Sequence, residues 1–172
     1  FWEGYFDEVA VMVDAAWRAI SVIGHLDLPR LHAPAPRCLA DLDRADDGVA
    51  RRLFTVLGMV AERGLALDLN LAGVRRGIGA YPHPAILRHA RRLGIPLAIG
   101  SDTHHPEELG RNYAEGVRLA GEAGYRYYVS FARGIPEKRP LEAGRAARDG
   151  AGFRALNLAI GILNSRLPRE QA

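Results

Sequence analysis

Apolar positions recur with a helical period over three stretches of the chain. Val9, Met12, Val13, Ala16, Trp17 and Ile20 share one face; Val49, Leu53, Val56, Leu57 and Val60 share a second. Ile86, Leu87, Ala90 and Leu93 mark a third, and Pro84 suits the first turn of that helix. Three times an amphipathic stretch ends in glycine and passes at once into a short apolar run: Gly64 into Leu65–Asn70, Gly94 into Ile95–Gly100, Gly124 into Tyr125–Phe131. Glycine supplies the left-handed cap that closes a helix. The runs are too short for core helices and read as buried strands, with Ser21–Ile23 as a further one. Strands starting near Val22, Leu65, Ile95 and Arg126 lie about thirty to forty residues apart, the size of β-α units rather than hairpins. The expectation is therefore an α/β fold with four parallel strands. After Leu141 this rhythm stops, and Phe153, Leu156, Ile160 and Leu163 predict a C-terminal helix.

At 172 residues, 48% hydrophobic and 25% charged, the chain has the make-up of one globular domain, which excludes disorder and collagen-like structure. No apolar run approaches the roughly 18 residues of a membrane span. One cysteine, Cys38, rules out an internal disulfide and points to the cytoplasm. The formal charge of +3 is a mild excess, and Arg51/Arg52, Arg75/Arg76 and Arg91/Arg92 are scattered pairs. No nucleic-acid partner and no membrane partner is expected. The chain opens Phe1-Trp2-Glu3 without an initiator methionine, which suggests a piece cut from a longer product.

In parallel β/α architectures functional side chains gather beyond the carboxyl ends of strands. Here the first strand runs into Gly24-His25-Leu26-Asp27, the second ends in Asp68 and Asn70, and the third enters Ser101-Asp102-Thr103-His104-His105. A carboxylate and an imidazole two residues apart, joined by an imidazole from a neighbouring strand, make a candidate metal site. Each residue also has a plainer reading. His25 would be a backbone-bonded loop residue, Asp102 a cap for the turn at Pro106, His104 a solvated side chain, Asn70 a strand-closing turn and Arg75 a loop arginine. His32, His83 and His89 read as surface residues.

The segments Val22–Leu28, Leu67–Asn70 with Gly73–Arg75, Tyr81–Pro84 with Ile86-Leu87, and Ile99–Gly110 resemble, in order and spacing, the histidinol-phosphatases of the PHP (polymerase and histidinol phosphatase) superfamily. The run Gly-Ser-Asp-Thr-His-His-Pro-Glu-Glu-Leu-Gly is specific, and the resemblance extends from about Tyr5 to Leu141. It implies parallel β/α units forming part of a distorted, TIM-like β/α barrel over residues 1–141, followed by a helical tail over 142–172. It also implies a metal-dependent phosphomonoester hydrolase acting on L-histidinol phosphate in histidine biosynthesis. By the match, His25, Asp102 and His104 would be metal ligands, with Asp102 and His104 in the catalytic set. Asn70, Arg75 and His105 would lie on the substrate side. Zinc, manganese or iron would suit the ligands, and the partner would be a small-molecule phosphate ester.

The pattern departs from the family in places. The N-terminal His-x-His and Glu-His metal motifs do not occur in the 172 residues; Asp68, Leu71 and Ala80 stand where glutamate, a small hydroxyl residue and glutamate are usual. The competing expectations are a truncated, inactive α/β module for binding or assembly, and another phosphoesterase of the same superfamily. An incomplete barrel would leave an open edge for self-association.

Overall fold

The computed structural model describes residues 1–141. Its elements are α1 (Trp2–Ala16), β1 (Val22–Ile23), α2 (Gly48–Glu62), β2 (Ala66–Asn70), α3 (Ala72–Arg75), α4 (Pro84–Arg92), β3 (Leu97–Gly100), α5 (Tyr113–Glu122), β4 (Tyr127–Ala132) and β5 (Ile135–Pro140). Short 3-10 turns cover Leu28–Leu31, Arg37–Ala40 and Pro106–Glu108. Strands β1, β2 and β3 form one parallel sheet in that order, with Val22 opposite Ala66 and Asn70 opposite Gly100. Parallel neighbours need helical crossovers. Gly64 and Gly94, at φ of 65° and 74°, end the helices that supply them, and Gly124, at φ of 91°, ends α5 before β4.

The core lies between the sheet and its helices. Leu67 and Leu69 of β2 and Leu53, Val56, Leu57 and Val60 of α2 are fully buried, as are Ile86, Leu87 and Ala90 of α4. The Asp47 carboxylate caps α2 by accepting from the Ala50 amide at 2.8 Å, which satisfies one of the orphan donors of the first turn. Met12 and Leu93, placed on buried faces by their spacing, are 41% and 42% exposed. The cause for Met12 is that α1 buries Phe6 and Val13 and turns Met12 off that stripe; Leu93 is already the C-cap of α4.

Two further expectations need correcting. The fourth strand does not extend the parallel sheet: β4 lies beside β3 but pairs antiparallel with β5, Tyr127 opposite Pro140 and Ala132 opposite Ile135. Arg133 and Gly134, at φ of 54° and 80°, make the two-residue turn, the left-handed pair that suits a tight hairpin. His83 and His89 are half-buried rather than surface residues. His83 Nδ1 accepts from the Ala85 amide at the start of α4, and the His89 ring stacks on Phe54 with centroids 4.5 Å apart. Burial holds both imidazoles below the ordinary histidine range, with Arg30 and Arg88 adding to the effect at His83 and Arg92 at His89. The 142–172 tail and its expected helix lie outside the described residues. Among those described, no helix is long and apolar enough to cross a membrane.

Candidate active site

The carboxyl ends of the three parallel strands bring one polar cluster together. β1 stops after two residues because Gly24 and His25 carry the chain off the sheet, His25 at φ of 49°. Asp102, two residues beyond β3, has φ of 51°. Left-handed backbone at a residue other than glycine costs about 1–3 kcal/mol and persists where the surroundings impose it, a mark of functional sites. These two residues meet: His25 Nε2 lies 3.4 Å from Asp102 Oδ2, with both side chains about one-third exposed. Asp102 therefore does not cap the turn at Pro106, whose N-cap is His105.

Asp68 stands between them on β2, where the bare Cα of Gly100 leaves room for its carboxylate. Burial pushes the Asp68 carboxyl above the ordinary carboxylate range and the Asp102 charge adds to this, while the Asn70 hydrogen bond and His25 work the other way. Asn70 donates to Asp68 Oδ2 at 3.0 Å and accepts from the Ala72 amide at 2.9 Å, so it ends its strand and starts α3 with one side chain. Arg75, on the last turn of α3, donates to the carbonyls of Ser101 (2.7 Å) and Asp102 (3.0 Å). His104 Nδ1 lies 3.0 Å from the same Asp102 carbonyl, its side chain exposed, and His105 is exposed.

The donor chemistry of the His25–Asp102 pair fits a divalent cation. A separation of 3.4 Å matches the edge of a tetrahedron whose corners lie about 2.1 Å from its centre, the usual length of zinc bonds to imidazole nitrogen and carboxylate oxygen. Among the described residues no group of three or more His, Cys, Asp or Glu side chains is arranged to hold a metal. Of the three expected ligands the structure brings His25 and Asp102 together and does not gather His104 with them.

Over 126 residues, 72% of its length, the chain is 36% identical to the probable histidinol-phosphatase of Deinococcus radiodurans. The chain is a relative of histidinol-phosphatases. A second match, 36% identity over 59 residues, is to the histidinol-phosphatase of Bacillus subtilis and takes in 33% of the chain. The matched stretches cover 44% and 22% of those two enzymes, so the chain spans less than half the length of the curated histidinol-phosphatases it matches. No family model matches.

Beside the strand-end cluster of this histidinol-phosphatase relative sits a group the sequence reading missed. Asp27 and Arg30 form a buried ion pair, Nε to Oδ2 at 2.7 Å, and Arg30 lies over the Tyr81 ring. The signal available was the three-residue spacing across Pro29, which a 3-10 turn folds onto one side.

Proposed function

We propose that the chain supplies part of the barrel and the active site of a metal-dependent histidinol-phosphatase of the PHP type, which hydrolyses L-histidinol phosphate to L-histidinol and phosphate in histidine biosynthesis. The observation that carries this is the His25–Asp102 pair: two left-handed residues from the ends of β1 and β3, with imidazole and carboxylate 3.4 Å apart, in a chain similar to two histidinol-phosphatases. His25 and Asp102 would hold the metal, with His104 as a further ligand from the same loop. Zinc, manganese or iron bound there would supply positive charge for the phosphate and acidify a water.

The chain's own residues do the rest. Hydrolysis breaks the ester P–O bond and forms one to the oxygen of water, whose proton ends on the hydroxyl of histidinol. A phosphate monoester resists attack because it is an anion, so the site must offset its charge. Arg75 contributes here: its guanidinium has five N–H donors and spends two on the Ser101 and Asp102 carbonyls. The others are free to meet phosphate oxygens. The same two bonds fix the backbone of Asp102, and Asn70 fixes Asp68. His105, exposed in the same loop, would contribute on the substrate side.

Arg51, Arg52, Arg92, Arg118 and Arg139 each pair with an acidic neighbour. Cys38 is a buried free thiol, which suits the cytoplasm. The test is phosphate release by the longest natural protein that contains this chain, with L-histidinol phosphate set against other phosphomonoesters. Release should be selective for L-histidinol phosphate, stop with a chelator and return with zinc or manganese. Equal release from all esters would point to another phosphoesterase, and none at all to an inactive module.

A further inference from the structure

Behind His25 the molecule carries an arrangement that the proposed chemistry does not use directly. Asp27 is fully buried and the Arg30 side chain is 5% exposed. Arg30 reaches across to the segment before α4, donating to the Ile78 carbonyl at 3.2 Å and to the Ala80 carbonyl. Asp27 Oδ2 accepts from the His83 amide at 2.8 Å, taking hold of the same segment at its other end. Tyr81 lies between these anchors, also buried, with its backbone bridged to Asn70 of β2 in both directions (2.7 and 2.9 Å). The guanidinium carbon of Arg30 is 4.9 Å from the centre of the Tyr81 ring, and the His25 ring centroid is 5.7 Å from it. From the opposite side the Tyr5 hydroxyl donates to the Leu26 carbonyl at 3.0 Å, fixing the turn between His25 and Asp27.

We propose that Asp27 and Arg30 are positioning residues for His25, acting through the Tyr81 ring that they clamp against its imidazole. A buried ion pair is weak evidence of stability, because desolvation offsets most of the attraction. Its value here is geometric: one arginine fork on two carbonyls and one carboxylate on an amide fix the six-residue segment 78–83 in register. Arg30 then lies over the Tyr81 ring, and the ring limits the rotamers open to His25. The Tyr81 hydroxyl finds no hydrogen-bond partner among the described residues. The ring, not the hydroxyl, does the positioning.

The inference deepens the proposed function, but its readout is the side chain of His25 rather than turnover. A negative result therefore leaves the phosphatase assignment standing, and absent phosphatase activity leaves this inference testable. The measurement is the nuclear Overhauser effect between the His25 ring protons and the Asp102 β-protons in the 172-residue chain, with His25 assigned by its loss in His25→Gln. Arg30→Lys keeps the charge opposite Asp27 but loses the planar fork and the stack. In that variant the effect should vanish and the His25 resonances broaden, while those of His32 and His104 stay in place. Tyr81→Phe should preserve the wild-type signal and Tyr81→Leu should lose it. A folded Arg30→Lys chain with an unchanged His25–Asp102 contact would overturn the proposal. Should Arg30→Lys fail to fold, indistinguishable His25 spectra in Tyr81→Phe and Tyr81→Leu would overturn it instead.

Discussion

In the proposed function Arg75 has two tasks at once, and a lysine lacks the planar fork that serves both. It ties down the Ser101 and Asp102 carbonyls and keeps donors for a phosphate. A hydrogen bond to a charged group contributes about 1.5–3 kcal/mol, so in the longest natural protein that contains this chain the proposed function predicts that Arg75→Lys lowers kcat/KM for L-histidinol phosphate by about tenfold or more. Inhibition by inorganic phosphate should weaken in parallel; unchanged kinetics would return Arg75 to a purely structural place. His83 gives a pH effect whose sign follows from its cap. Its Nδ1 accepts a hydrogen bond and so must be unprotonated, and its folded pKa lies below the ordinary 6.5. Between those two values the unfolded chain binds more protons, so stability falls as the pH drops through 6.5. His83→Asn keeps an N-cap and should reduce that slope in thermal melts recorded between pH 7.5 and 5.5. At this scale the sequence showed His25 and Asp102 through their places just beyond apolar runs. It did not show the carbonyls that Arg75 and Arg30 hold, because partners 26 and 50 positions away leave no local pattern, whereas the Asp27–Arg30 pair had its three-residue spacing as a signal.

Helices and strands were legible where local chemistry decides them. Gly64, Gly94 and Gly124 close helices in the left-handed conformation, and the apolar runs after them become β2, β3 and β4. Orientation is another matter, since an apolar run does not encode which neighbour it pairs with. The hairpin had a signal in Arg133-Gly134, but Pro136, Pro140 and the charges of Glu137–Arg139 disguised β5 as a loop. Prolines are tolerated there because β5 is an exposed edge. Close packing around α3 can be tested at two glycines. A Cβ on Gly73 would run into the Gly79 carbonyl oxygen and come within 2.9 Å of the Tyr81 ring; one on Gly116 would meet the methyl groups of Ile99 and Leu71 at 3.0 and 3.1 Å. Backbone yields less than methyl groups do. Gly73→Ala should cost about 1–3 kcal/mol, the usual range for overpacking, and Gly116→Ala should cost less in the same denaturant titration. The reverse order would show that the Gly73–Tyr81 contact is looser than described.

As a whole, the described molecule offers one edge of its parallel sheet at β1, and an open edge invites pairing with another chain. The 172-residue chain should self-associate with rising concentration, which light scattering after size exclusion measures; a monomer at all concentrations would count against an open edge. Weak metal affinity and negligible phosphatase activity are expected from that chain alone, since the described residues offer a pair of donors and no three-ligand group. Family-like turnover would show that the site is built from other residues. The central claim is that the His25–Asp102 pair is where L-histidinol phosphate is hydrolysed. It is tested most directly by comparing zinc- or manganese-supported phosphate release from L-histidinol phosphate by the full-length protein with that by its Asp102→Asn variant. A partly exposed strand-end side chain adds little to the core, so the melting temperature should hold while turnover falls about a hundredfold or more. An Asp102→Asn protein that keeps its fold and hydrolyses L-histidinol phosphate at the wild-type rate would contradict the account.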